Sequence, residues 1–125
     1  METRTVTQIL ESVSDVMFPD VMGEREVKIN SVGYDGDTPL HVLAWRKDKE
    51  GIEALIAAGV EINALGEMDE TPLHIAVTNK STEIVRLLLS AGADVNIRCE
   101  FGDTPLERAK EKGKQIANLF ADYGA

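Results

Sequence analysis

The sequence repeats at a constant interval, and this feature limits the chain to few kinds of fold. The tripeptide Thr-Pro-Leu begins at Thr38, Thr71 and Thr104, so that successive copies are equally spaced. A second series, in which asparagine follows an aliphatic residue, keeps the same step at positions 30, 63 and 96. Two marker series with one period indicate a stack of similar units, each of which contacts mainly its neighbours.

Each unit has the pattern of two helices joined by a turn and followed by a loop. Threonine is a favourable N-cap, and proline fits the first helical position because its missing N–H needs no partner there. In the middle unit we predict a first helix from Leu73, a second from Glu83 to Ala91, and Gly92 as its C-terminal stop. One such unit has too narrow an apolar stripe to fold alone, so the units must stack.

These residues resemble the ankyrin repeat family. The hallmark motif of that family is intact at residues 71–76, TPLHIA, and residues 38–43 carry it with leucine in place of the final alanine. The segment IVRLLLSAGADVN at residues 84–96 is similar to the family's second helix and exit turn. The resemblance covers about residues 33–125. It implies an all-α ankyrin-repeat solenoid of stacked helix-turn-helix units with loop or hairpin connections.

We divide the chain into four parts. Residues 1–32 lack the Thr-Pro-Leu mark and are interpreted as an N-terminal capping helix region, a degenerate repeat whose helix covers the open end of the stack and ends at Phe18-Pro19. Its apolar stripe at helical spacing consists of Val6, Ile9, Leu10, Val13, Val16 and Met17. Residues 33–65 and 66–98 are full repeats, and residues 99–125 are a C-terminal capping repeat with a polar outer face.

The first full repeat departs from the pattern at Gly51, which falls inside its second helix. Glycine in a helix costs about 1 kcal/mol relative to alanine. We therefore expect a short second helix in this repeat, near Ile52 to Ala58.

The composition argues against several classes of protein. The 125-residue chain has 13 basic and 22 acidic side chains and a net charge of −9, so we expect no binding to nucleic acid, whose phosphates would repel it. No apolar run approaches the roughly 20 residues that span a bilayer, and residues 1–4 lack the features of a signal peptide. Cys99 is the single cysteine, which fits a reducing compartment. We expect a cytoplasmic monomer with no membrane partner.

No residue pattern supports catalysis, a cofactor or a metal. His41 and His74 hold one place in two repeats, where the resemblance implies a structural role, and neither has an acid or cysteine beside it at ligand spacing. Cys99 has an acidic neighbour and no base in its own repeat, so we interpret it as an unreactive thiol. The acids at positions 35 and 37 lack the spacing of an EF-hand loop. We predict that the protein is not an enzyme.

The resemblance also implies where a protein partner binds. Members of the family usually contact partners through the loop tips before Thr-Pro-Leu and through the inner face of the first helices. The matching positions are Tyr34, Asp35, Asp37, Trp45 and Arg46 in the first full repeat, Glu67, Met68, Glu70, Thr78 and Asn79 in the second, and Glu100, Phe101, Asp103, Glu111 and Lys112 in the third.

Every loop tip carries at least two acidic residues and one large apolar residue. The predicted apolar anchors are Tyr34, Trp45, Met68 and Phe101. The predicted charge partners are Asp35, Asp37, Glu67, Glu70 and Asp103. Two interpretations stay open: either the acids only solvate the loops while Tyr34 and Phe101 tuck into neighbouring repeats, or the tips form an acidic strip that binds a basic protein.

The acidic-strip interpretation makes one mutational prediction, and it also allows a narrower function. Replacing Glu67 and Glu70 by lysine should weaken partner binding without lowering the melting temperature. The alternative function is that of a dedicated inhibitor or immunity protein that neutralises a toxin or nuclease, its acids standing in for nucleic-acid phosphates.

Overall fold

The computed structural model describes residues 4–18 and 26–123, and within them eight α-helices and no strand occur. The N-terminal region contains α1 (Val6–Ser12) and α2 (Ser14–Met17). Three helix pairs follow: α3 (Pro39–Arg46) with α4 (Lys49–Ala57), α5 (Pro72–Thr78) with α6 (Thr82–Ser90), and α7 (Pro105–Lys112) with α8 (Lys114–Asp122). A short 3-10 turn, Glu67–Asp69, lies in the loop before α5.

The helix pairs stack in two rows. Helices α3, α5 and α7 pack side by side in one row, while α4, α6 and α8 form the other, and α1 contacts α4 at the N-terminal end. This arrangement confirms the predicted all-α solenoid, although the exact domain boundaries stay a prediction. Across the described parts of the chain, no helix is both long and apolar enough to cross a membrane.

Reciprocal capping bonds start the first helix of each repeat. The Oγ1 atom of Thr71 accepts the His74 N–H at 3.2 Å, and the Thr71 N–H donates to Nδ1 of His74 at 3.1 Å. In the third repeat Thr104 accepts the Glu107 N–H at 3.1 Å, and the Glu107 carboxylate accepts the Thr104 N–H at 3.0 Å. Glu107 therefore preserves the capping box where the motif histidine is replaced.

The asparagine series links each repeat to the next. The side-chain oxygen of Asn30 accepts the Glu61 N–H at 3.0 Å, and that of Asn63 accepts the Asp94 N–H at 2.8 Å. Both bonds join equivalent positions, so the same hydrogen bond recurs from one repeat to the next. The asparagines satisfy backbone donors that no strand or helix would otherwise pair.

The helix α6 supplies part of the continuous aliphatic core. Ile84, Val85 and Leu88 are almost completely buried. The helix runs Thr82–Ser90, so it begins and ends one residue earlier than predicted. Gly92 follows with φ of 91°, which agrees with its predicted role as a C-terminal stop.

In the N-terminal region the predicted stripe is only partly correct. Ile9, Val13 and Met17 are buried, but Val16 is 47% exposed. The regular helix is interrupted at Val13, so residues on either side do not share one helical face. The prediction that Pro19 ends the helix lies outside the described residues.

Ion pairs of Arg4 connect the N-terminal region to α4 and its N-cap. Its guanidinium donates to both carboxylate oxygens of Asp48, at 2.6 and 2.8 Å, and to Glu50 at 2.7 Å. Burial alone would raise the pKa of Asp48, but hydrogen bonds from Arg4 and from the Gly51 N–H outweigh it, and the pKa lies below its ordinary value. The contact attaches the capping region to the first full repeat.

The helix α4 is longer than the sequence predicted, because Lys49–Ala57 includes the residues before Ile52. Gly51 lies in its first turn, where its N–H donates to the carboxylate of the N-cap Asp48 at 3.0 Å. A Cβ at Gly51 would lie 2.9 Å from that carboxylate and 3.2 Å from the Leu43 side chain. This close approach favours glycine, because a Cβ would force the Asp48 or Leu43 side chain to shift, and Gly51 does not shorten the helix.

Candidate functional site: a groove between the first two full repeats

A groove of about 130 Å³ lies between α3, α5 and the loop before α5. Its lining residues are Asp37, Trp45, Glu67, Met68, Glu70, Ile75 and Thr78. All of these except Ile75 were predicted from the sequence as partner contacts. The stacking of the first two full repeats therefore brings half-exposed apolar side chains and three carboxyl groups to one place.

Large apolar side chains are exposed at the groove and along the loop tips. Trp45 is 50% exposed and Met68 is 40% exposed, while Tyr34 and Phe101 reach 74% and 68%. Tyr34 and Phe101 therefore do not tuck into neighbouring repeats, and that part of the first interpretation is wrong. Aromatic residues displayed in this way are typical of interface anchors.

A bent loop places Met68 at the groove. Met68 and Asp69 have φ angles of 61° and 58°, in the left-handed region that residues with a Cβ rarely adopt. The Met68 carbonyl accepts the Glu100 N–H of the next loop at 2.9 Å, and the Asp69 N–H donates to the Gly66 carbonyl at 3.0 Å. These bonds hold a conformation that is costly by itself.

The three acids directly before Thr-Pro-Leu have internal partners. Asp37 is 7% exposed, and its Oδ1 accepts the Glu67 N–H at 2.8 Å. Asp103 and Glu70 both contact the Arg108 guanidinium. Their predicted role as free surface charges needs correction, because the residue before the N-cap faces inward against the neighbouring repeat.

The outermost acids of the loop tips differ from these three acids in exposure and ion pairing. Asp35, Glu67 and Glu100 form no ion pair within residues 4–18 and 26–123. Glu67 and Glu100 are exposed, and Asp35 is partly exposed. Asp69, beside Glu67, is also exposed and in no ion pair among the described residues, so each loop tip has at least one unpaired acid.

Arg108 forms a buried ion-pair network that the sequence pattern did not single out. Its Nε and Nη2 donate to the two oxygens of Asp103 at 2.8 and 2.9 Å, and its Nη1 lies 3.1 Å from both Glu70 Oε1 and Thr78 Oγ1. Arg108 is only 8% exposed. Hydrogen bonds from Arg108 hold the pKa of Asp103 well below its usual range.

One signal in the sequence could have revealed this network. Arg108 holds the same place in its repeat that Ile75 and Val42 hold in the two repeats before it, and both of those aliphatic residues are buried. An arginine in a register that is otherwise part of the core requires a carboxylate partner, because an unpaired buried charge is very unfavourable.

His41 and His74 link consecutive repeats. Nε2 of His41 donates to the Glu70 carbonyl at 2.8 Å, and its Nδ1 accepts the Thr38 N–H at 3.1 Å. His74 makes the same two bonds, to the Asp103 carbonyl at 3.0 Å and from the threonine of its own capping box at 3.1 Å. A carbonyl only accepts and an amide N–H only donates, so both rings are neutral with the proton on Nε2. The predicted structural role is confirmed.

Acidification will destabilise the fold through these two rings. Burial lowers the pKa of both His41 and His74 below the ordinary value of 6.5. The unfolded chain therefore takes up protons at a pH where the folded chain does not. The free energy of unfolding will fall as pH drops through about 6.5, by up to about 1.4 kcal/mol per pH unit for each histidine, until the folded-state pKa is reached. Urea denaturation at several pH values between about 7.5 and 5 measures this slope.

The variant His74→Gln serves as the control. Glutamine offers an acceptor and a donor but does not titrate, so the slope should fall to about half of the wild-type value if the two sites contribute equally. A wild-type stability that stays constant across this pH range would contradict the neutral, buried state of both rings.

Cys99 and Asp103 lie beside His74, a proximity that was not evident in the linear sequence. The potential ligand atoms of these three residues lie within 4.8 Å of one another. However, Nη2 of Arg108 donates to Cys99 Sγ at 3.3 Å, and the Cys99 thiol donates to Asp103 Oδ1 at 3.0 Å. The guanidinium supplies the positive charge here and would repel a metal cation. The cluster is a structural network around a buried thiol.

The remaining predicted contacts lie away from the groove. Nη1 of Arg46 donates to the Ser12 carbonyl at 3.1 Å, which connects α3 to the end of α1. The amide nitrogen of Asn79 is buried and has no hydrogen-bond partner among the residues that the structure describes. Glu111 and Lys112 are exposed on α7 and do not line the groove.

Stacked helix pairs of one repeating pattern define a solenoid protein, and the groove between the first two full repeats is partly apolar. The family described as Ankyrin repeats (3 copies) matches residues 40–125, and the chain belongs to this ankyrin repeat family. Ankyrin repeats are generally protein–protein interaction modules and are generally non-catalytic. A comparison with curated proteins found no match.

Proposed function

We propose that this protein binds a basic protein partner through its concave face and its loop tips. The observation that carries the proposal is the display of four large apolar side chains beside carboxylates that form no ion pair within the described parts of the chain. The apolar side chains are those of Tyr34, Trp45, Met68 and Phe101. Such anchors supply binding energy, while the surrounding charges select the partner and speed association.

The charge of the chain supports the same choice of partner. The net charge is −9, and it includes Asp35, Glu67 and Glu100 at the loop tips, which form no ion pair with any other described residue. Attraction of a basic surface would act over about 8 Å at physiological salt, so added salt should weaken the complex. We further propose a monomer that acts in the cytoplasm, where a free thiol such as that of Cys99 stays reduced.

Glu67 is the acid that best tests this proposal. Its side chain is exposed and makes no ion pair among the described residues, so Glu67→Lys should leave stability unchanged. Glu70→Lys is unsuitable, because Glu70 lies 3.1 Å from Arg108 and a lysine would bring two cations together. The expectation that both reversals leave the melting temperature unchanged is therefore revised for Glu70.

Affinity capture with immobilised protein should recover a basic partner, and Glu67→Lys should reduce its retention roughly tenfold. The matched control is Asp122→Lys, which makes the same charge change at an exposed position on α8. Mass spectrometry and quantitative binding at two salt concentrations measure the effect. Equal retention by the two variants, or capture of acidic proteins only, would contradict the proposal.

The narrower alternative, an inhibitor of a toxin or nuclease, rests on the same acidic loop tips. It predicts that the captured partner has an enzymatic activity that one equivalent of this protein abolishes. An adaptor would leave such an activity unchanged. Assay of the purified partner with and without the protein separates the two.

A further inference from the structure

We propose that a cleft beside the ends of the last helix pair binds a short peptide segment of a partner protein, in which a basic residue stands between two aliphatic residues. The inference goes beyond the proposed function, because no residue that lines this cleft also lines the groove between the first two full repeats. Its basis is a hydrogen bond that the chain forms twice between its own repeats.

The cleft has a volume of about 520 Å³ and presents apolar surface. Leu106, at the start of α7, is only partly buried, whereas the equivalent leucines Leu40 and Leu73 are 0% and 1% exposed. Tyr123, the C-cap of α8, is 46% exposed. A ligand in the cleft would therefore bury apolar surface that the interior repeats already bury. The side chains that line the cleft include those of Leu89, Asp94, Val95, Asn96, Leu106 and Tyr123.

Asn96 supplies a hydrogen-bond acceptor to the cleft. It is the third asparagine of the series in which Asn30 and Asn63 each accept a backbone N–H of the following repeat, at 3.0 and 2.8 Å. Asn96 lines the cleft, and its side chain accepts no N–H from residues 4–18 or 26–123. The cleft thus continues the series of repeat junctions, with the same acceptor at the same place.

The two segments that bind at the earlier junctions define the ligand. Residues 60–63, VEIN, and residues 93–96, ADVN, each donate the N–H of their second residue, Glu61 or Asp94, to the preceding asparagine. Both segments lack helix and strand structure. The apolar residues on either side of the donors pack against the core, and these are Val60, Ile62, Ala93 and Val95. A ligand of the same kind needs a backbone N–H between two apolar side chains.

Charge selects the residue that carries this N–H. The Asp94 carboxylate accepts the Asn96 N–H at 2.8 Å, so a negative charge lies beside the proposed acceptor. Asp94 is exposed and forms no ion pair among the described residues. A lysine or arginine at the donor position is therefore attracted, and an acid is repelled. The segment VKIN at residues 27–30 shows that lysine fits the same pattern.

An NMR titration of the isotopically labelled protein with acetyl-Val-Lys-Ile-Asn-amide tests the proposal, because this method detects weak binding. Saturable shifts should appear at the signals of Asn96, Leu106 and Tyr123. A peptide with a methyl group on the lysine backbone nitrogen keeps the charge but lacks the N–H, and it should bind roughly fivefold more weakly. Glutamate in place of the lysine should weaken binding roughly threefold.

Substitutions at Asn96 locate the hydrogen bond. Asn96→Leu removes the acceptor and should weaken peptide binding roughly fivefold, whereas Asn96→Asp keeps an acceptor oxygen and should bind at least as well as the wild type. The matched control is Asn118→Leu, the same change at an exposed position of α8 outside the cleft, which should leave the affinity unchanged. If Asn96→Leu does not fold, the N-methylated peptide tests the same bond on the wild-type protein.

Equal affinities of the methylated and unmodified peptides would overturn the proposal, as would equal affinities of Asn96→Leu and Asn118→Leu. Sedimentation of the protein without peptide tests a different occupant. Association that rises with protein concentration and is abolished by Asn96→Leu would assign the cleft to a second copy of the chain and would also overturn the proposal. The titration involves no loop tip, so its failure leaves capture that depends on Glu67 unaffected and is distinguishable from failure of the proposed function.

Discussion

Leu88→Ala will lower the free energy of unfolding by roughly 2–5 kcal/mol, the usual cost of a large-to-small change in a core. Leu88 is completely buried on α6, and α6 contacts both α4 and α8. The missing methyl groups would leave a cavity in the middle of the row formed by α4, α6 and α8. Because a repeat in a solenoid contacts only its neighbours, one cavity weakens both junctions of the middle repeat. Urea denaturation measures the loss.

Leu65→Ala is the matched control, since Leu65 is 50% exposed in the loop before α5. Its effect should stay within about 0.5 kcal/mol. If the two alanine variants lose equal stability, then α6 does not bury the face that contains Leu88 and the stacking described above is wrong.

Arg108→Met will destabilise the protein by roughly 3 kcal/mol, because it leaves Asp103 and Glu70 without their shared cation. The side chains of these acids are 22% and 14% exposed, so water compensates only in part. Methionine is apolar, like Ile75 at the equivalent position of the preceding repeat, so it should fit at position 108. The lost stability therefore reflects the unpaired carboxylates more than the change in side-chain volume. Chemical denaturation at neutral pH, where both acids are ionised, gives the value.

Two further variants separate the charge effect from a general effect of losing an arginine. Arg98→Met removes an exposed ion pair with Glu107 and should cost at most about 1 kcal/mol. The double variant Arg108→Met with Asp103→Asn removes one of the stranded charges and should recover part of the stability. An Arg108→Met protein as stable as Arg98→Met would show that the network contributes little.

Much of the fold could be predicted from the sequence because its signals are local and periodic. The Thr-Pro dipeptides predicted the start of α3, α5 and α7, since capping depends on neighbouring residues only. The apolar spacing predicted α6 to within one residue at each end. The length of α4 was predicted wrongly because the reason for Gly51 is a close contact with Asp48 and Leu43, which no local pattern reports.

The candidate site was predictable only in outline. The resemblance to ankyrin repeats identified Trp45, Met68 and Glu67 as partner-contact positions, and these three residues line the groove. The same reasoning assigned Asp37, Glu70 and Asp103 to the surface, although their side chains have partners within the chain. The exposure of an acidic side chain depends on which residues of the adjacent repeat contact it, and these contacts form only when the repeats stack.

The amino-acid order alone was enough to specify the repeating unit, its caps and its aliphatic core, because hydrogen bonding within a turn and helical spacing act over a few residues. Only the packing of one repeat on the next decided that Arg108 is enclosed by acids while its counterpart Ile75 borders an open groove. Side chains far apart in sequence interact there, and their energies depend on distances that exist only after the helices have stacked.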